Sequence, residues 1–453
     1  MFRTEGNLIM KLEARIQHIT GPKLLSYIPR RRLVSVCGVQ DILMRQTMAS
    51  PELAKAMFGL VADSGDITSI SDLRFARAAH FEGVKIDPFL MRMGIGLPAA
   101  LFYPFFRLSC ASMASRFIAG NTIAEALDNV AELVSKGIGE SLDILGESVG
   151  SIEDAQGNLG QYERVIQRAD QRFDWFIKHR GHKPNFSVKL TGLYPEAGLI
   201  EENRREIELF LHRALALAFR YHAFMRLDTE YYEKLKLTNS VYRTVASQEP
   251  FITYPGHGIV QQLYLTEAEL IAKEWIAFAK WRFDKYQVPS SFRLVKGAYV
   301  ETERKRALAG GYASPICATK PLTNANYEYI AEMHLRAIAE HGPIMRLAFG
   351  THNPRTVAAI MAMAEELKID KSLLEFQVLF GMDDLIPAIQ AMGYAVREYM
   401  PLSPDGDKKR GLPYYSRRLV ENTANGSMMM MVGDWQRGLV STEQLLQNPL
   451  ELV

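Results

Sequence analysis

Tyr414, Arg417, Arg418 and Glu421 have the types and spacing to bind an anion. Separations of three and four residues bring such side chains to one face of a helix. Each guanidinium is a rigid fork of donors matched to two oxygens, so adjacent arginines suit a carboxylate clamp. The same run also reads as a solvated helix with Arg/Glu pairs, and spacing alone leaves both open. A second set of reactive types closes a series of short apolar runs: Glu147, Lys189, Asp228, Gln262, Arg293, Thr351-His352-Asn353, Gln377 and Tyr399. With Lys320 among the cations and Tyr299, Tyr399 and Tyr414 as aromatic walls, the mixture suits an anionic ligand beside a planar cofactor. Lys189 is also the residue type that forms a Schiff base, and the residues alone do not exclude that chemistry. His352, inside Gly-Thr-His-Asn, reads as a hydrogen-bonding residue rather than a ligand. No His/Cys/carboxylate cluster has metal-ligand spacing. No GxSxG, phosphate-loop or GxGxxG signature sits in its required context. Gly297 in VKGAY would let a cofactor approach the backbone closely.

The elements that must position these groups alternate. Strand candidates are LDILGE (142–147), FSVKLT (186–191), FMRLDT (224–229), IVQQLYL (259–265), FRLVKGAY (292–299), IMRLAFGTHN (344–353), LLEFQVLF (373–380) and YAVREY (394–399). Amphipathic stretches such as 201–223 and 353–369 separate most of them, and NTIAEALDNVAELVSKG (121–137) precedes the first. Eight β/α units over about 300 residues fit a (β/α)8 barrel better than an open sheet. The strand ends would then form the reactive rim. In FSVKLT, period two puts Ser187, Lys189 and Thr191 on the face that could turn inward. MASRFIAG (113–120) is a candidate extra strand. Residues 1–110 read as a helical N-terminal region, 111–440 as the barrel and 441–453 as a tail.

The chain has 453 residues, 48% hydrophobic and 23% charged, which is ordinary globular usage. A net charge of +2 gives no reason to expect a nucleic-acid partner. Cys37, Cys110 and Cys317 are widely spaced and read as reduced thiols. No signal peptide is evident, and Arg30-Arg31-Arg32 hints at organelle targeting while Glu5 and Glu13 argue against it. The longest uncharged apolar run, 93–106, contains Pro98 and Pro104 and is too short to span a membrane.

Taken together, FSVKLTGL, MRLDTE, RLVKGAYVETERKRA, GTHN, LEFQVLFGM and EYMPLS…LPYYSRRLVENTANGS resemble the proline dehydrogenase family, including the matching half of the bifunctional proline-utilisation flavoenzymes. The stretches run in family order over about residues 140–430. The resemblance implies a distorted (β/α)8 barrel with non-covalent FAD at the strand ends and an eighth helix capping the substrate. By position, Arg417 and Arg418 resemble the pair that grips the proline carboxylate, with Glu147 beside the first. Lys189 and Asp228 match the substrate-side pair, while Tyr299, Leu379, Tyr399 and Tyr414 match the walls around the pyrrolidine ring. Arg293 matches the arginine near the reactive edge of the flavin. Cofactor-contacting positions map to Thr229, Gln262, Arg293, Val295, Lys296, Gly297 and Ala298. The remainder are Lys320, Thr351, His352, Asn353, Gln377, Glu421 and Ser427.

The implied reaction moves a hydride from C5 of L-proline to flavin N5, gives Δ1-pyrroline-5-carboxylate, and sends the electrons to a membrane quinone. Handover of the product to a pyrroline-5-carboxylate dehydrogenase would follow. The implied location is cytoplasmic and peripheral on the inner face of a bacterial membrane, or the matrix side of the inner membrane in a mitochondrion. Val300-Glu301 stand where the bifunctional enzymes usually have a Trp-acid pair, which is closer to the single-function branch. On this reading the chain ends at Val453 with no room for an aldehyde dehydrogenase half. The alternatives are a 4-hydroxyproline dehydrogenase, against which Tyr399 argues by bulk, a Lys189 Schiff-base lyase, and a non-catalytic membrane-associated protein.

Overall fold

The computed structural model describes residues 6–28, 69, 71, 74, 118–145, 149–171, 184–403 and 428–452. Eight parallel strands close into a barrel in sequence order: β1 (Gly139–Ile144), β2 (Asn185–Lys189), β3 (Phe224–Asp228), β4 (His257–Gln262), β5 (Ser290–Val295), β6 (Met345–Gly350), β7 (Leu374–Leu379) and β8 (Ala395–Leu402). Every expected strand is present. Several begin two or three residues earlier than the apolar pattern suggested, and β5 ends before Lys296-Gly297, where the chain turns. The eight-unit barrel read from the sequence is therefore the observed architecture.

Chain reversal between parallel strands needs a crossover, and amphipathic helices supply it. They are α4 (Ile152–Gln171), α5 (Arg204–Arg220), α6 (Tyr232–Ala246), α7 (Ala268–Tyr286), α8 (Val300–Gly310), α9 (Lys320–His341), α10 (Pro354–Glu366) and α11 (Ile386–Ala391). Ahead of β1 lies α3 (Ile123–Ser135), whose start is capped by two side chains. Thr122 Oγ1 accepts from the Glu125 amide at 3.2 Å, and the Glu125 carboxylate accepts from the Asn121 amide at 2.9 Å. Prolines and polar caps open α9 and α10, which lead into and out of β6. Thr319 Oγ1 takes the Leu322 amide before α9, and Asn353 Oδ1 takes the Arg355 amide before α10.

The N-terminal segment is helical, with α1 (Gly6–Arg15), a π-helical turn at Ile16–Thr20 and α2 (Gly21–Ser26). These pack on α10, which is buried from Pro354 to Ala364. Two compact units partition the chain. The barrel unit holds Met1–Ile28, Leu127–Met400 and Leu446–Val453; the second unit holds Pro29–Ala126 and Pro401–Leu445. Within the second unit, Gly120 bridges Leu402 in parallel, so Ile118–Gly120, the described end of the candidate extra strand, makes a single bridge. That unit also contains α12 (Met428–Gln436) and a turn at Thr442–Leu445, joined by a 3.1 Å bond from Trp435 Nε1 to Thr442 Oγ1.

Candidate active site

Period-two alternation decides which side chains enter the barrel. Lys189 and Asp228 are register partners at the ends of β2 and β3, and both turn inward. Lys189 Nζ lies 2.8 Å from each oxygen of Asp143, on β1. Arg293, two residues before the end of β5, places Nη1 2.7 Å from Asp228 Oδ1. Its Nη2 donates to Ser141 and Ser187 Oγ at 3.1 and 3.0 Å. Tyr399, on β8, donates its hydroxyl to Asp228 Oδ2 at 3.0 Å and lies under the Arg293 guanidinium at 5.2 Å. Side-chain exposures of 1% for Asp143, 5% for Arg293, 11% for Lys189 and 12% for Asp228 leave this quartet little solvent.

Two cations against two carboxylates make the cluster neutral, which is how charges become tolerable away from water. Burial pushes the Asp143 carboxyl above its usual range, Lys189 pulls it down and Asp228 pushes it up again. Burial, followed by the two aspartates, also holds the Tyr399 hydroxyl far above its ordinary titration range. Beneath this layer lies a second charged one. Arg397 Nε bonds Glu375 Oε1 at 3.1 Å, while Arg226 donates to Ser291 Oγ at 2.9 Å. Arg397 and Arg226, together with hydrogen bonds, hold Glu375 down at about 2 against the opposing effect of burial. Burial lowers Arg226 to about 9.

The cofactor-side expectations lie beside β4 and β5. Gln262 Nε2 donates to the carbonyls of Thr229 and Glu230 at 3.2 and 2.9 Å, and its Oε1 is buried without a partner. Gly297 sits at φ +127°, and a Cβ there would fall 2.4 Å from the Tyr264 ring. Only glycine holds that conformation without strain. Lys296 donates to Asn324 Oδ1, and burial followed by Lys320 lowers it to about 7. Lys320, at the start of α9, is also lowered by burial. Val295 is the last residue of β5, and Ala298 is exposed. Thr351 Oγ1 accepts from the Asn353 amide at 3.1 Å, so this pair first serves the start of α10. His352 Nε2 accepts from the Leu379 amide at 3.1 Å, the hydrogen-bonding role expected of it. Gln377 donates to Glu375, toward the lower layer. Tyr299 precedes α8 with its ring 4.6 Å from Tyr231. Glu147, Tyr414, Arg417, Arg418, Glu421 and Ser427 lie outside the described residues.

Sequence reasoning placed Ser187 on the inward face but missed Asp143, Ser141 and the Arg226/Glu375/Arg397 layer. The signal was there: Asp143 alternates with Leu142 and Ile144, and Arg226, Glu375 and Arg397 each lie two residues before a chosen residue. Attention to strand ends alone passed over them. Among the described residues no three His, Cys, Asp or Glu side chains group as a metal site, and no helix is long and apolar enough to cross a membrane.

A closed parallel barrel whose inward side chains gather charge at the carboxyl ends of its strands is the architecture of barrel enzymes. Within that class, the chain belongs to the proline dehydrogenase family, whose model matches residues 126–431. It is 29% identical over 405 residues to the bifunctional protein PutA of Salmonella typhimurium, covering 88% of this chain and 29% of that protein. It is 26% identical over 321 residues to the proline dehydrogenase of Deinococcus radiodurans, covering 70% of this chain and 89% of that one. The structure of proline utilization A from Bdellovibrio bacteriovorus, inactivated by N-propargylglycine, aligns with a TM-score of 0.83 and 27% identity. That alignment covers 98% of this chain and 44% of the other. The chain thus spans less than a third of the bifunctional relative and less than half of the solved one.

Proposed function

We propose that this chain oxidises L-proline to Δ1-pyrroline-5-carboxylate with a non-covalent FAD and passes the electrons to a membrane quinone. The observation that carries the reading is the buried quartet of Lys189, Asp143, Arg293 and Asp228, walled by Tyr399 at the strand ends. The residues beside it fit a flavin. Gln262 Oε1 is an orphaned acceptor, Gly297 opens the backbone, and half-buried Lys296 with exposed Lys320 offers two amines to anionic groups.

When bound, the flavin would supply the acceptor for the hydride that leaves proline C5. Arg293 brings fixed positive charge to the quartet, where it would stabilise negative charge gathering on an acceptor. Asp228 and the two serines hold that guanidinium in one orientation. Tyr399, fastened through its hydroxyl, forms a rigid wall against which a five-membered ring packs. Arg417 and Arg418, with Glu147 and Tyr414, are proposed from the sequence as the carboxylate clamp that turns binding energy into orientation. Thr351, His352, Asn353, Gln377, Glu421 and Ser427 are proposed as further cofactor contacts, and Leu379 and Tyr299 as further walls. Product handover to a pyrroline-5-carboxylate dehydrogenase and a peripheral place on the membrane belong to the same proposal.

The Lys189 lyase reading is disfavoured by the two-oxygen clasp of Asp143, which suits an ammonium rather than a nucleophilic amine. The deciding experiment is a visible spectrum before and after anaerobic L-proline. Flavin bands that bleach support the proposal. Bands that bleach only with 4-hydroxyproline redirect it, and a protein that takes up no flavin overturns it.

A further inference from the structure

We propose that Asp143 is the final acceptor of the proton that must leave the substrate's ring nitrogen, with Lys189 as the relay between them. The inference rests on the proline dehydrogenase reading. Proline at neutral pH carries a secondary ammonium, whose nitrogen has no lone pair to assist hydride loss from the neighbouring carbon. That proton needs a destination.

Two carboxylates stand in the described part of the site. Asp228 is committed on both oxygens, to Arg293 Nη1 at 2.7 Å and to the Tyr399 hydroxyl at 3.0 Å. Asp143 gives both oxygens to Lys189 Nζ, at 2.8 Å each, and the Tyr399 hydroxyl lies beside the same carboxylate. Its side chain is 1% exposed against 11% for Lys189, so Lys189 stands between Asp143 and the open side of the site. The groups facing Asp143 are Lys189 from β2, Asp228 from β3, Tyr399 from β8 and Tyr162 from α4. Tyr162 donates to the Ser187 carbonyl at 2.8 Å, and burial keeps both tyrosine hydroxyls protonated. Arg293 has only donors to offer. Asp143 is the remaining acceptor among these residues, and burial brings its protonated form within reach.

The step balances without moving electrons between molecules. Lys189 first passes one N–H proton to an Asp143 oxygen. The amine lone pair this frees then takes the proton from the breaking N–H bond of the substrate ammonium. The outcome is a neutral amine, an unchanged lysine ammonium and an aspartic acid.

The test is Asp143→Asn and Asp143→Glu in the flavin-loaded protein, followed by anaerobic flavin reduction across pH. The affinity of tetrahydrofuran-2-carboxylate, the ring-oxygen analogue that has no nitrogen proton, is measured alongside. We expect Asp143→Asn to slow reduction by about 10²–10⁴-fold near neutrality, the usual worth of a proton acceptor. The deficit should shrink as rising pH delivers proline already deprotonated, while analogue affinity stays within about twofold of the starting protein. Asp143→Glu should recover much of the rate. A deficit that is constant with pH, or that follows loss of analogue affinity, overturns the relay. If Asp143→Asn does not fold, Asp143→Ser, which likewise lacks the carboxylate, takes its place: a deficit in it that is constant with pH overturns the proposal equally. Should the unaltered protein bind flavin but not bleach with proline, the functional reading has failed and the relay question does not arise from it.

Discussion

Arg293 and Tyr399 show how one side chain can serve several ends at the residue scale. Tyr399 is a hydroxyl donor to Asp228, a surface beneath the Arg293 guanidinium and the proposed wall for the substrate ring. Shortening it to Ser opens the space that a 4-hydroxyl group needs. Tyr399→Ser is expected to lower the preference for proline over 4-hydroxyproline by about tenfold, the scale of one misfilled apolar contact. A ratio of kcat/KM values that stays put would show the wall lies elsewhere. Arg418→Met is expected to raise KM for proline by about a hundredfold or more, since a charge-assisted bidentate contact is lost. Flavin content should be unchanged. Lost flavin with unchanged KM would move the clamp away from Arg418.

At the scale of elements, β8 illustrates alternation with opposite consequences on its two faces. Arg397 and Tyr399 enter the barrel, while Glu398 points outward, 3% exposed, near Asp383 and Lys136. Burial, followed by Asp383, raises the Glu398 carboxyl to about 7 from 4.5. The folded chain therefore holds this proton to higher pH than the unfolded chain. Its contribution favours folding at low pH and is lost as pH rises from about 4.5 to about 7. Glu398→Gln is expected to gain on the unaltered protein over that window, by about 2–3 kcal/mol above pH 7. Denaturant titrations at pH 5 and pH 8 check it; an equal difference at both would mean Glu398 does not titrate there. Strand existence and order were legible because each of the eight segments pairs an apolar stripe with a polar residue near its end. Two kinds of information were not legible. Strand starts such as Gly139 and Ser290 depend on neighbours in the barrel rather than on their own apolar pattern. Asp143 went unnoticed because a carboxylate in mid-strand looks out of place until Lys189 is seen beside it.

On the scale of the barrel unit, its first and last segments meet at Arg355 on α10. Its guanidinium, 5% exposed, bonds Glu13 Oε2 at 2.8 Å, Glu328 Oε2 at 3.2 Å and the Leu446 carbonyl at 3.1 Å. Asn448 Nδ2 reaches the same Glu13 carboxylate at 3.2 Å. One cation thus joins α1, α9, α10 and the last turn of the chain. Arg355→Met leaves two carboxylates without their shared partner, at a cost of about 3–5 kcal/mol. Hydrogen exchange should register it as lost protection across residues 6–28 while the barrel strands stay protected. Uniform loss over the whole barrel would instead make Arg355 part of the global core.

Arg293 is rooted in β5, yet it is fastened to Ser141 of β1, Ser187 of β2 and Asp228 of β3. It therefore works as a crossbar over the lumen, and β1, β2 and β3 cannot part from β5 without pulling on the guanidinium proposed to stand at the reacting atoms. The lifetime of activity on heating should then equal the lifetime of the closed strand circuit. Loss of turnover and loss of β-sheet circular dichroism are expected to share one rate constant. A slower decay of the sheet would mean the crossbar lets go before the barrel does.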